Sequence, residues 1–569
     1  MEVSSLWIGE ELSPLSVMCI KSFLKHGYVF NLYVYDLVRN IPEGVVIKKA
    51  DMILPKSEIF CYQNGSYSAF SNLFRFTMMY KTGEVWVDTD VFCRRFFDFS
   101  DFKILVVSEP DREYRESMPA SYILKFPRYH ESLRRAIELC EVNRVKIESG
   151  EMISGLGSLV VRSIVEEFGL GVNVRDWVFS SNCGGRDYGV LYSEKVLKSC
   201  INYPIFSLKN APEGNYFMHL WNENYSLKDI SLDELFDGNN ILSQMWNSVS
   251  DYPLISKKRD RILITGASGL VGSALQRVMK DYRLYIPRSS ELNILDYQQL
   301  DRYLKDNQIT AIIHLAANVG GLFKNMNYKV NMLEDNLLMN FNVIRAAHEN
   351  RVKKLISCLS TCIFPDRTTY PINEKMLHDG PPHFSNDAYA YAKRMSDIHS
   401  RAYREQYGDN FVSIIPTNIY GPNDNYNLED AHVIPALIHR CYLAERGGER
   451  FVVKGSGKPL RQFIYSDDLA ELIRWVFLFY NDAEPIILSN EEEYAIGDVA
   501  RLIAKEFNYV HRMEFDVSGA DGQYKKTADN GKLMKFLSSY GIKVNWTGIG
   551  EGIGRSVRWF VDNYGRVRK

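Results

Sequence analysis

A tyrosine and a lysine one helical turn apart are the most chemically suggestive pair in this 569-residue sequence. Tyr389 and Lys393 stand at positions i and i+4, which share one face of a helix. The ammonium group would lower the pKa of the phenol and would be placed to hold a cofactor ribose. The phenol could then donate a proton to a carbonyl oxygen while a serine hydroxyl polarises that oxygen. Ser360 suits this second role, because it ends a largely apolar run, Leu355–Leu359, that predicts a strand.

A glycine-rich turn lies earlier in the chain, between the apolar run Ile262–Ile264 and an amphipathic helical pattern. Gly266 permits a tight turn, Gly269 lets the backbone approach a pyrophosphate, and Gly272 lets the helix pack on the strand. The helix N-terminus would offer free N–H groups to the phosphates. The GxxGxxG spacing is moderately specific, and a turn without a ligand is the alternative. We expect a dinucleotide to bind at Gly266, Ser268, Gly269, Leu270, Val271 and Gly272.

The next predicted strand, Arg283–Ile286, bears on the choice of cofactor. Arg288 follows it, 22 residues after Gly266. A cation at this position suits the 2′-phosphate of NADP, whereas an acid suits the ribose hydroxyl of NAD. The position favours NADPH, although Glu291 nearby keeps NAD open and Arg288 could be an ordinary surface arginine.

An acidic triplet in the first half of the chain suggests a different chemistry. Asp88 and Asp90 follow a predicted strand, Glu84–Val87. Two carboxylates at i and i+2, where a strand breaks, can converge on Mn²⁺ or Mg²⁺, and such an ion bridges the two phosphates of a nucleotide-sugar. A triplet of this kind is more often a solvated turn, so the context must decide.

Two scaffolds are needed to position these groups. A Rossmann unit usually begins with the strand before its glycine turn, so the residues in front of Arg261 belong to another domain. Short apolar strands alternate with helical patterns in both halves, which predicts α/β folds. We predict a domain at 1–228, a polar linker at 229–259 and a domain at 260–569.

Composition narrows the class of protein further. Hydrophobic residues make up 46% and charged residues 24%, as in globular proteins. A formal net charge of −2 argues against a broad electrostatic contact with nucleic acid or anionic membrane. Nine scattered cysteines suit a reducing compartment, so we expect a cytoplasmic location. We expect neither a signal peptide nor a membrane span, because no run approaches ~20 apolar residues.

Several motifs give residues 260–569 a close resemblance to the extended short-chain dehydrogenase/reductase family, and within it to the GDP-L-fucose synthases. They are AANVGG at 316–321, SCLSTCIFP at 357–365, AYAYAKR at 388–394, PTNIYGPNDN at 416–425, HVIPALI at 432–438, RQFIYSDDLA at 461–470 and DGQYKKT at 521–527. The resemblance implies NADPH-dependent reduction of GDP-4-keto-6-deoxy-D-mannose after epimerisation at C3 and C5. An epimerase or dehydratase of the same family is the alternative.

The resemblance also implies roles for single residues. Ser360, Tyr389 and Lys393 would form the reductive triad, and Cys362 and His432 the epimerising acid/base pair. Both groups of the pair can titrate near neutral pH. A buried small hydrophobe is the alternative for Cys362, and a capping or core residue is the alternative for His432.

Substrate contacts form a further set of expectations. Guanidinium and ammonium groups bind phosphate, which makes Arg440, Arg461 and Lys526, or its neighbour Lys525, candidates. Asn418 is a candidate for the sugar pocket. Some family members carry an arginine within the glycine turn where this chain has Ser268, which leaves Arg288 as the clearest cation for the 2′-phosphate.

The first half resembles the DxD-containing glycosyltransferases of family thirty-two, which have a GT-A fold. The matching stretches are LWIG at 6–9, YVYD at 33–36, FSNLFR at 70–75, the acidic triplet and HLW at 219–221. The resemblance implies that Asp88, Asp90 and His219 hold the metal and that Arg75 contacts the donor. Asn72 replaces the family's usual aspartate. Trp7 would stack on the base or sugar, or else belong to the core.

Together these expectations describe a GT-A-like nucleotide-sugar transferase domain fused to a Rossmann-fold extended reductase with a small C-terminal substrate-binding subdomain. The second half would make GDP-L-fucose and the first would transfer a sugar, fucose by this hypothesis, to a glycan acceptor. A different donor sugar or an inactive glycan-binding module are the alternatives for the first half. The family also implies a homodimer through the reductase half.

Overall fold

The computed structural model describes residues 1–110, 117–170, 174–175, 178–179, 217–219, 241–250, 255–257, 259–518, 525–538, 540 and 542–568. The chain divides into two compact units. The N-terminal unit is Met1–Asp251 with Ser538–Ile542, and the C-terminal unit is Tyr252–Leu537 with Lys543–Lys569. The backbones of His219 and Lys526 are described, but their side chains lie outside the description.

Two sheets form the N-terminal unit. Its strands are β1 (Glu2–Trp7), β2 (Val29–Val34), β3 (Val46–Lys49), β4 (Val85–Val87), β5 (Val91–Cys93), β6 (Leu105–Pro110), β7 (Ser117–Lys125), β8 (Val174–Arg175), β9 (Val178–Phe179) and β10 (Phe217–His219). Within the described residues the orders are β3-β2-β1-β4-β7-β6-β8 and β5-β10-β9. β1 to β4 run parallel and β7 runs antiparallel to β4. The acidic triplet therefore lies where the chain leaves the larger sheet and enters the smaller one.

Helices pack on both faces of the larger sheet. They are α1 (Pro14–Lys25), α2 (Ser68–Thr82), α3 (Glu131–Glu148), α4 (Leu156–Glu167) and α5 (Ile241–Val249). Trp86 joins a buried cluster with Phe70 and Phe74, whereas its neighbour Val87 joins the opposite cluster with Phe23. This alternation follows the two-residue period of a strand. α5 lies within the range predicted as a linker.

The C-terminal unit contains a parallel sheet and a smaller group of strands. The strands are β11 (Arg261–Thr265), β12 (Arg283–Tyr285), β13 (Ala311–His314), β14 (Lys354–Cys358), β15 (Phe411–Pro416), β16 (Asn418–Tyr420), β17 (Phe451–Lys454), β18 (Leu460–Tyr465), β19 (Ile486–Leu488), β20 (Glu493–Ala495), β21 (Met513–Asp516) and β22 (Lys525–Lys526). The parallel sheet has the order β12-β11-β13-β14-β15-β19. This confirms the Rossmann-type α/β fold predicted for this half.

The order of the parallel sheet fixes where a ligand is expected. The chain leaves β11 for β12 on one side and then crosses to β13 on the other. At such a reversal the loops at the carboxyl ends of the two central strands separate and leave a crevice. The Gly266 turn follows β11, so it lies at this crevice.

Helices cover this sheet and build a second core. They are α6 (Leu270–Val278), α7 (Tyr297–Asp306), α8 (Leu322–Asn327), α9 (Lys329–Glu349), α10 (Asp387–Tyr407), α11 (Val433–Gly447), α12 (Ser466–Phe479), α13 (Ile496–Glu506), α14 (Gly531–Ser538) and α15 (Ile549–Asn563). α11, α13 and α15 share a buried cluster with β17 and β18, which includes Ile438, Ile503, Phe560, Phe451 and Phe463. Among the helices of the described part of the chain, none is long and apolar enough to cross a membrane.

Candidate active site

The turn after β11 has the close packing that its glycines predict. Gly266 adopts a φ of 71°, and a Cβ there would lie 2.9 Å from the backbone nitrogen of Ala316. A Cβ on Gly272 would lie 2.5 Å from the Cα of Ala267, so helix α6 packs against the turn only without a side chain there. Gly269 precedes α6 and has no side chain to occupy the first N–H groups of the helix. The turn therefore fits a dinucleotide phosphate.

A cavity of about 1150 Å³ opens beside this turn, within the C-terminal unit. The walls combine the carboxyl ends of β11, β13 and β14 with residues of the smaller strand group. It is lined by Gly266, Ser268, Gly269, Leu270, Val271, Gly272, Ser360, Tyr389, Lys393, Asn418, His432 and Arg461, all of them predicted site residues. Folding thus brings together residues that are up to 195 positions apart, between Gly266 and Arg461.

The Tyr389 and Lys393 pair lies on α10, with both side chains buried. Lys393 Nζ is 5.9 Å from the centre of the Tyr389 ring and donates a hydrogen bond to the carbonyl oxygen of Cys358 at 2.9 Å. Burial lowers the pKa of Lys393. Burial, with smaller effects of the Cys362 and Cys358 thiols, raises the pKa of Tyr389 well above its usual value. The expected lowering of this pKa by Lys393 is therefore not seen, because desolvation of the phenolate is the larger effect.

The serine and the cysteine share one short turn after β14. Ser360 precedes the 3-10 helix Thr361–Ile363, and its hydroxyl accepts a hydrogen bond from the Cys362 amide at 3.5 Å. Cys362 is half-buried and is not among the residues that line the cavity. Its thiol is nevertheless close enough to Tyr389 to raise the pKa of the phenol. Ser360 thus lines the cavity, and the Cys362 thiol lies near Tyr389.

His432 also lines the cavity, directly before α11. It occupies the N-cap position of that helix, but its ring makes no capping hydrogen bond there. The ring is accessible from the cavity, but the surrounding protein desolvates it and lowers its pKa, while Asp430 opposes this effect. His432 is therefore mostly neutral at pH 7 and is placed to accept a proton.

The substrate candidates differ in where the fold places them. Arg461 and Asn418 line the cavity, and Asn418 Nδ2 donates to the Gln462 carbonyl oxygen at 2.8 Å. The Lys526 backbone pairs with Arg461 in the register of β18 and β22, which brings the two predicted residues together. Arg440, in contrast, lies on α11 outside the lining of the cavity. Its predicted phosphate contact is not supported by this geometry.

Arg288 lies at the rim of the cavity. Its side chain is exposed, and its neighbours Pro287 and Ser289 line the cavity. The Arg288 amide donates to the Glu291 carboxylate at 2.8 Å. Glu291 therefore accepts a hydrogen bond from the backbone of its own loop, which reduces its suitability for a cofactor ribose.

Other cavity residues were not predicted from the sequence. Asp424, Lys454 and Arg568 line the cavity, and Arg568 reaches it from the end of the chain. The side chain of Arg568 contacts a residue 145 positions away, and sequence spacing gives no signal for such a contact. Asp424 lies inside the PTNIYGPNDN stretch, which could have drawn attention to it.

In the N-terminal unit two of the predicted residues, Arg75 and Asp88, contact each other. Asp88 follows β4, and its Oδ1 accepts from Trp86 Nε1 at 2.6 Å and pairs with Arg75 Nη2 at 3.0 Å. In the antiparallel pair of β10 and β5, the His219 backbone lies opposite Val91, which follows Asp90 in the sequence. Arg75, expected to contact a donor, instead pairs with Asp88 and also donates to the Ser121 carbonyl oxygen.

The metal and stacking predictions find little further support here. Among the described side chains, no group of three or more His, Cys, Asp or Glu is placed to hold a metal ion. The His219 side chain is outside that description. Trp7 is half-buried, and its Nε1 is buried without a hydrogen-bond partner in the described part of the unit. Asn72 is buried, and its Nδ2 donates to the Ser68 carbonyl oxygen at 2.8 Å.

Comparisons with known proteins concern the C-terminal half. The model of the NAD dependent epimerase/dehydratase family matches residues 262–497. A GDP-L-fucose synthase of Dictyostelium discoideum is 49% identical over 316 residues, which are 54% of this chain and 97% of that protein. A probable GDP-L-fucose synthase of Drosophila melanogaster is 47% identical over 323 residues, which are 54% of this chain and 99% of that protein.

A solved structure gives the same match in three dimensions. The crystal structure of a GDP-L-fucose synthetase from Naegleria fowleri bound to NADP superposes with a TM-score of 0.53 and 46% identity. The match covers 56% of this chain and 98% of that one. The C-terminal half thus matches GDP-L-fucose synthases over nearly their whole length, and through this half the chain belongs to the NAD dependent epimerase/dehydratase family.

Proposed function

We propose that residues 260–569 form a GDP-L-fucose synthase, which converts GDP-4-keto-6-deoxy-D-mannose into GDP-L-fucose with NADPH. One observation carries the proposal: Ser360, Tyr389, Lys393 and His432 line a single cavity together with the glycine turn. The similarity to GDP-L-fucose synthases, 49% in one relative, supports the same substrate.

The residues present fit the cofactor. Gly266 and Gly272 let the turn pack closely, and Gly269, at the start of α6, leaves the backbone open toward a pyrophosphate in the cavity. Arg288 at the rim would pair with the 2′-phosphate, and Lys393 would hold the ribose. When bound, NADPH supplies a hydride to C4 of the sugar.

In the reductive step, Tyr389 would give its proton to the C4 oxygen of the substrate. Its raised pKa keeps the phenol protonated at neutral pH, as a proton donor must be. Ser360 would donate a hydrogen bond to the same oxygen and polarise the carbonyl. The buried ammonium of Lys393 would stabilise the negative charge that remains on Tyr389 after transfer.

In the epimerising steps, Cys362 and His432 would act as the acid/base pair. The 4-keto group acidifies the protons at C3 and C5, so that a base can remove them and an acid on the other face can return them. His432 lines the cavity, and Cys362 lies in the turn through which Ser360 reaches it, with its thiol near Tyr389. The inversion requires the two groups to act from opposite faces of the sugar. The lowered pKa of His432 leaves its ring neutral and able to act as a base first.

The diphosphate of the substrate needs a cation, and Arg461 is placed for it inside the cavity. Lys526, paired in register with Arg461, would add a second cation. Asn418 would bind the sugar from β16. Arg440 would take part only after a movement of α11 or its own side chain.

Incubation of the full chain with GDP-4-keto-6-deoxy-D-mannose and NADPH tests this proposal. We expect one NADPH oxidised for each GDP-L-fucose formed, measured by absorbance and by chromatography of the sugar nucleotide. Turnover of the sugar without net NADPH consumption would instead indicate an epimerase or dehydratase of the same family and would refute the synthase.

For the N-terminal unit we propose a metal-dependent glycosyltransferase that takes fucose from GDP-L-fucose. The support is that Asp88 follows β4, which runs parallel to β1, and that the His219 backbone pairs with Val91, the residue after Asp90. Mn²⁺ or Mg²⁺ there would neutralise the departing diphosphate. Binding of metal would require Asp88 to share or release Arg75, which would then be free to contact the donor.

A panel of nucleotide-sugars tests this second proposal. The full chain is given GDP-fucose, UDP-hexoses and Mn²⁺, and hydrolysis and transfer to a set of glycans are measured. We expect the fastest metal-dependent hydrolysis with GDP-fucose and loss of it in Asp88→Asn. Faster hydrolysis of a UDP-hexose would replace fucose by another sugar, whereas glycan binding without turnover of any donor would indicate a binding module.

We also propose that the chain dimerises through α9 and α10. Exposed apolar side chains form stripes on both helices, with Leu338 and Phe341 on α9 and Tyr391, Met395 and Ile398 on α10. The stripes would be covered by the same helices of a second copy. Sedimentation of the full chain should give a dimer, and Met395→Glu should give a monomer; a wild-type monomer at micromolar concentration would refute the interface.

A further inference from the structure

The last residues of the chain form part of the wall of the reductase cavity, and the reaction proposed above leaves them without a role. Arg568 lines the cavity together with Asp424 and Asn425. Its backbone forms a parallel bridge with Asn425, and its carbonyl oxygen accepts from the Tyr426 amide at 2.9 Å. The backbone of the C-terminal segment is therefore fixed to the cavity wall, and this pairing does not involve the Arg568 side chain.

The guanidinium of Arg568 is oriented by the same loop. Nη2 donates to the Asn423 carbonyl oxygen at 3.3 Å, which uses one of five N–H donors. The positive charge also acts on the buried carboxyl of Asp424. That carboxyl accepts from the Asn425 amide at 2.7 Å through Oδ1, and its buried Oδ2 has no hydrogen-bond partner among the described residues. The loop thus presents a preoriented cation at the cavity.

The loop that holds Arg568 lies close to the expected phosphate site. A Cβ on Gly421 would lie 3.4 Å from Cδ1 of Leu270, the first residue of α6. The loop that carries the Arg568 contact therefore touches the helix whose N-terminus faces the expected pyrophosphate. The glycine turn itself, from Gly266 to Gly272, contains no charged residue.

The charged residues that line the cavity leave one of the two expected diphosphates without an assigned cation. Its lining includes the acids Asp335, Asp424 and Asp430, and the cations Lys393, Lys454, Arg461 and Arg568. Lys393 donates to Cys358 and is assigned to the ribose. A dinucleotide and a nucleotide-sugar would together bring two diphosphates into this space, and Arg461 accounts for one of them.

We propose that Arg568 is a diphosphate-binding residue of the cavity, supplied by the C-terminal tail. The inference rests on the proposed function of the C-terminal unit, since only nucleotide ligands bring a diphosphate there. The planar fork of a guanidinium matches two phosphate oxygens in a bidentate pair, whereas an ammonium acts as a point charge without this geometry. The diphosphate belongs either to NADPH or to the GDP-sugar, and both present the same chemistry to Arg568.

Two titrations of the full chain distinguish these sources. NADPH binding is followed by fluorescence and GDP binding by calorimetry, in wild type, Arg568→Gln and Arg568→Lys. We expect at least about a tenfold loss of affinity for one of the two ligands in Arg568→Gln, and a smaller loss in Arg568→Lys, as expected for a charge-assisted contact. The ligand whose affinity falls identifies the diphosphate.

Arg566→Gln is the matched control, because this exposed arginine of the same tail lies outside the cavity lining. It should bind both ligands like wild type. Guanosine and adenosine, which lack phosphates, should bind the Arg568 variants and wild type alike, whereas a distorted cavity would weaken them too. If Arg568→Gln fails to fold, Arg568→Lys alone decides.

Unchanged affinity for NADPH and for GDP in the Arg568 variants would overturn the inference. So would an equal loss in Arg566→Gln, or a loss that extends to guanosine and adenosine. Failure of the proposed function looks different, because wild type itself would then form no GDP-L-fucose with net consumption of NADPH, whatever the Arg568 variants bind.

Discussion

Lys393 Nζ donates a hydrogen bond to the carbonyl oxygen of Cys358 at 2.9 Å. The contact joins the middle of α10 to the last residue of β14. A buried ammonium without a partner would be costly, so this bond fixes the height of α10 against the sheet. It also sets the distance between Lys393 and Tyr389 and places both beside the turn that carries Ser360 and Cys362.

Removal of the Tyr389 hydroxyl should slow the reductive step while leaving NADPH binding nearly unchanged. We expect Tyr389→Phe to lower kcat for NADPH oxidation by about 10²-fold or more, because the proton donor to the C4 oxygen is lost. NADPH affinity should change by less than about threefold, since the ring and Lys393 remain. Stopped-flow reduction and NADPH titration measure the two effects; an unchanged kcat would exclude Tyr389 as the proton donor.

Loss of the thiol should affect epimerisation more than cofactor binding. Cys362→Ser keeps the shape of the turn but replaces a thiol by a far weaker acid and base. Exchange of the sugar protons at C3 and C5 with D₂O, followed by NMR, should slow by about 10²-fold. Cys358→Ser is the control from the same segment. Equal exchange rates in wild type and Cys362→Ser would refute the assigned role.

The decrease of epimerising activity at low pH should reflect the protonation of His432. As a base His432 acts when neutral, so activity falls as pH drops through its pKa. Desolvation by the surrounding protein lowers the pKa of His432 below 6.5. The decrease of kcat/KM at low pH should therefore occur below pH 6.5. Asp430 opposes the lowering, so Asp430→Asn should move this decrease to still lower pH. A decrease that moves to higher pH in Asp430→Asn would contradict the assignment to His432.

Substitution of two glycines of the dinucleotide turn should affect different properties, stability in one case and NADPH affinity in the other. A Cβ on Gly272 meets the Ala267 Cα at 2.5 Å, so Gly272→Ala should destabilise the unit by about 1–3 kcal/mol through overpacking. A Cβ on Gly269 meets only the Gly266 carbonyl oxygen, at 3.3 Å. Gly269→Ala should therefore melt near the wild-type temperature and yet lose NADPH affinity. Thermal melts and NADPH titrations of both variants check this, and equal melting temperatures would contradict it.

The buried carboxyl of Asp424 should make stability depend on pH. Burial raises its pKa from 3.8 to about 7, so between about pH 4 and 7 the folded chain binds more protons than the unfolded chain. Stability from this group therefore decreases as pH rises through that window, by up to about 4 kcal/mol, and stays lowered above it.

Asp424→Asn removes the ionisation and should be more stable than wild type at pH 8, with the difference shrinking toward pH 4.5. Urea unfolding at both pH values measures it. Asp562→Asn, at an exposed position of α15, is the control and should show no such trend. An Asp424→Asn variant less stable than wild type at pH 8 would show that the carboxylate is needed in its charged form.

The sequence by itself determined the elements and most of the reductase site. The run Ile262–Ile264 lies within β11, and the predicted strand Arg283–Ile286 agrees with β12 within one residue. Local patterns suffice here because hydrophobic period and glycine position fix strands and turns directly. The i and i+4 spacing of Tyr389 and Lys393 likewise follows from helix geometry alone, and both residues do lie in the cavity.

Only the tertiary structure decided which residues meet and how they ionise. Arg568 and Asp424 share the cavity wall although 144 positions separate them, and Arg440 lies outside the cavity lining although its guanidinium made it a candidate for phosphate. The pKa of Tyr389 is raised chiefly because burial desolvates the phenolate. Contacts between distant segments and desolvation depend on how the whole unit packs, and no local pattern of residues encodes either of them.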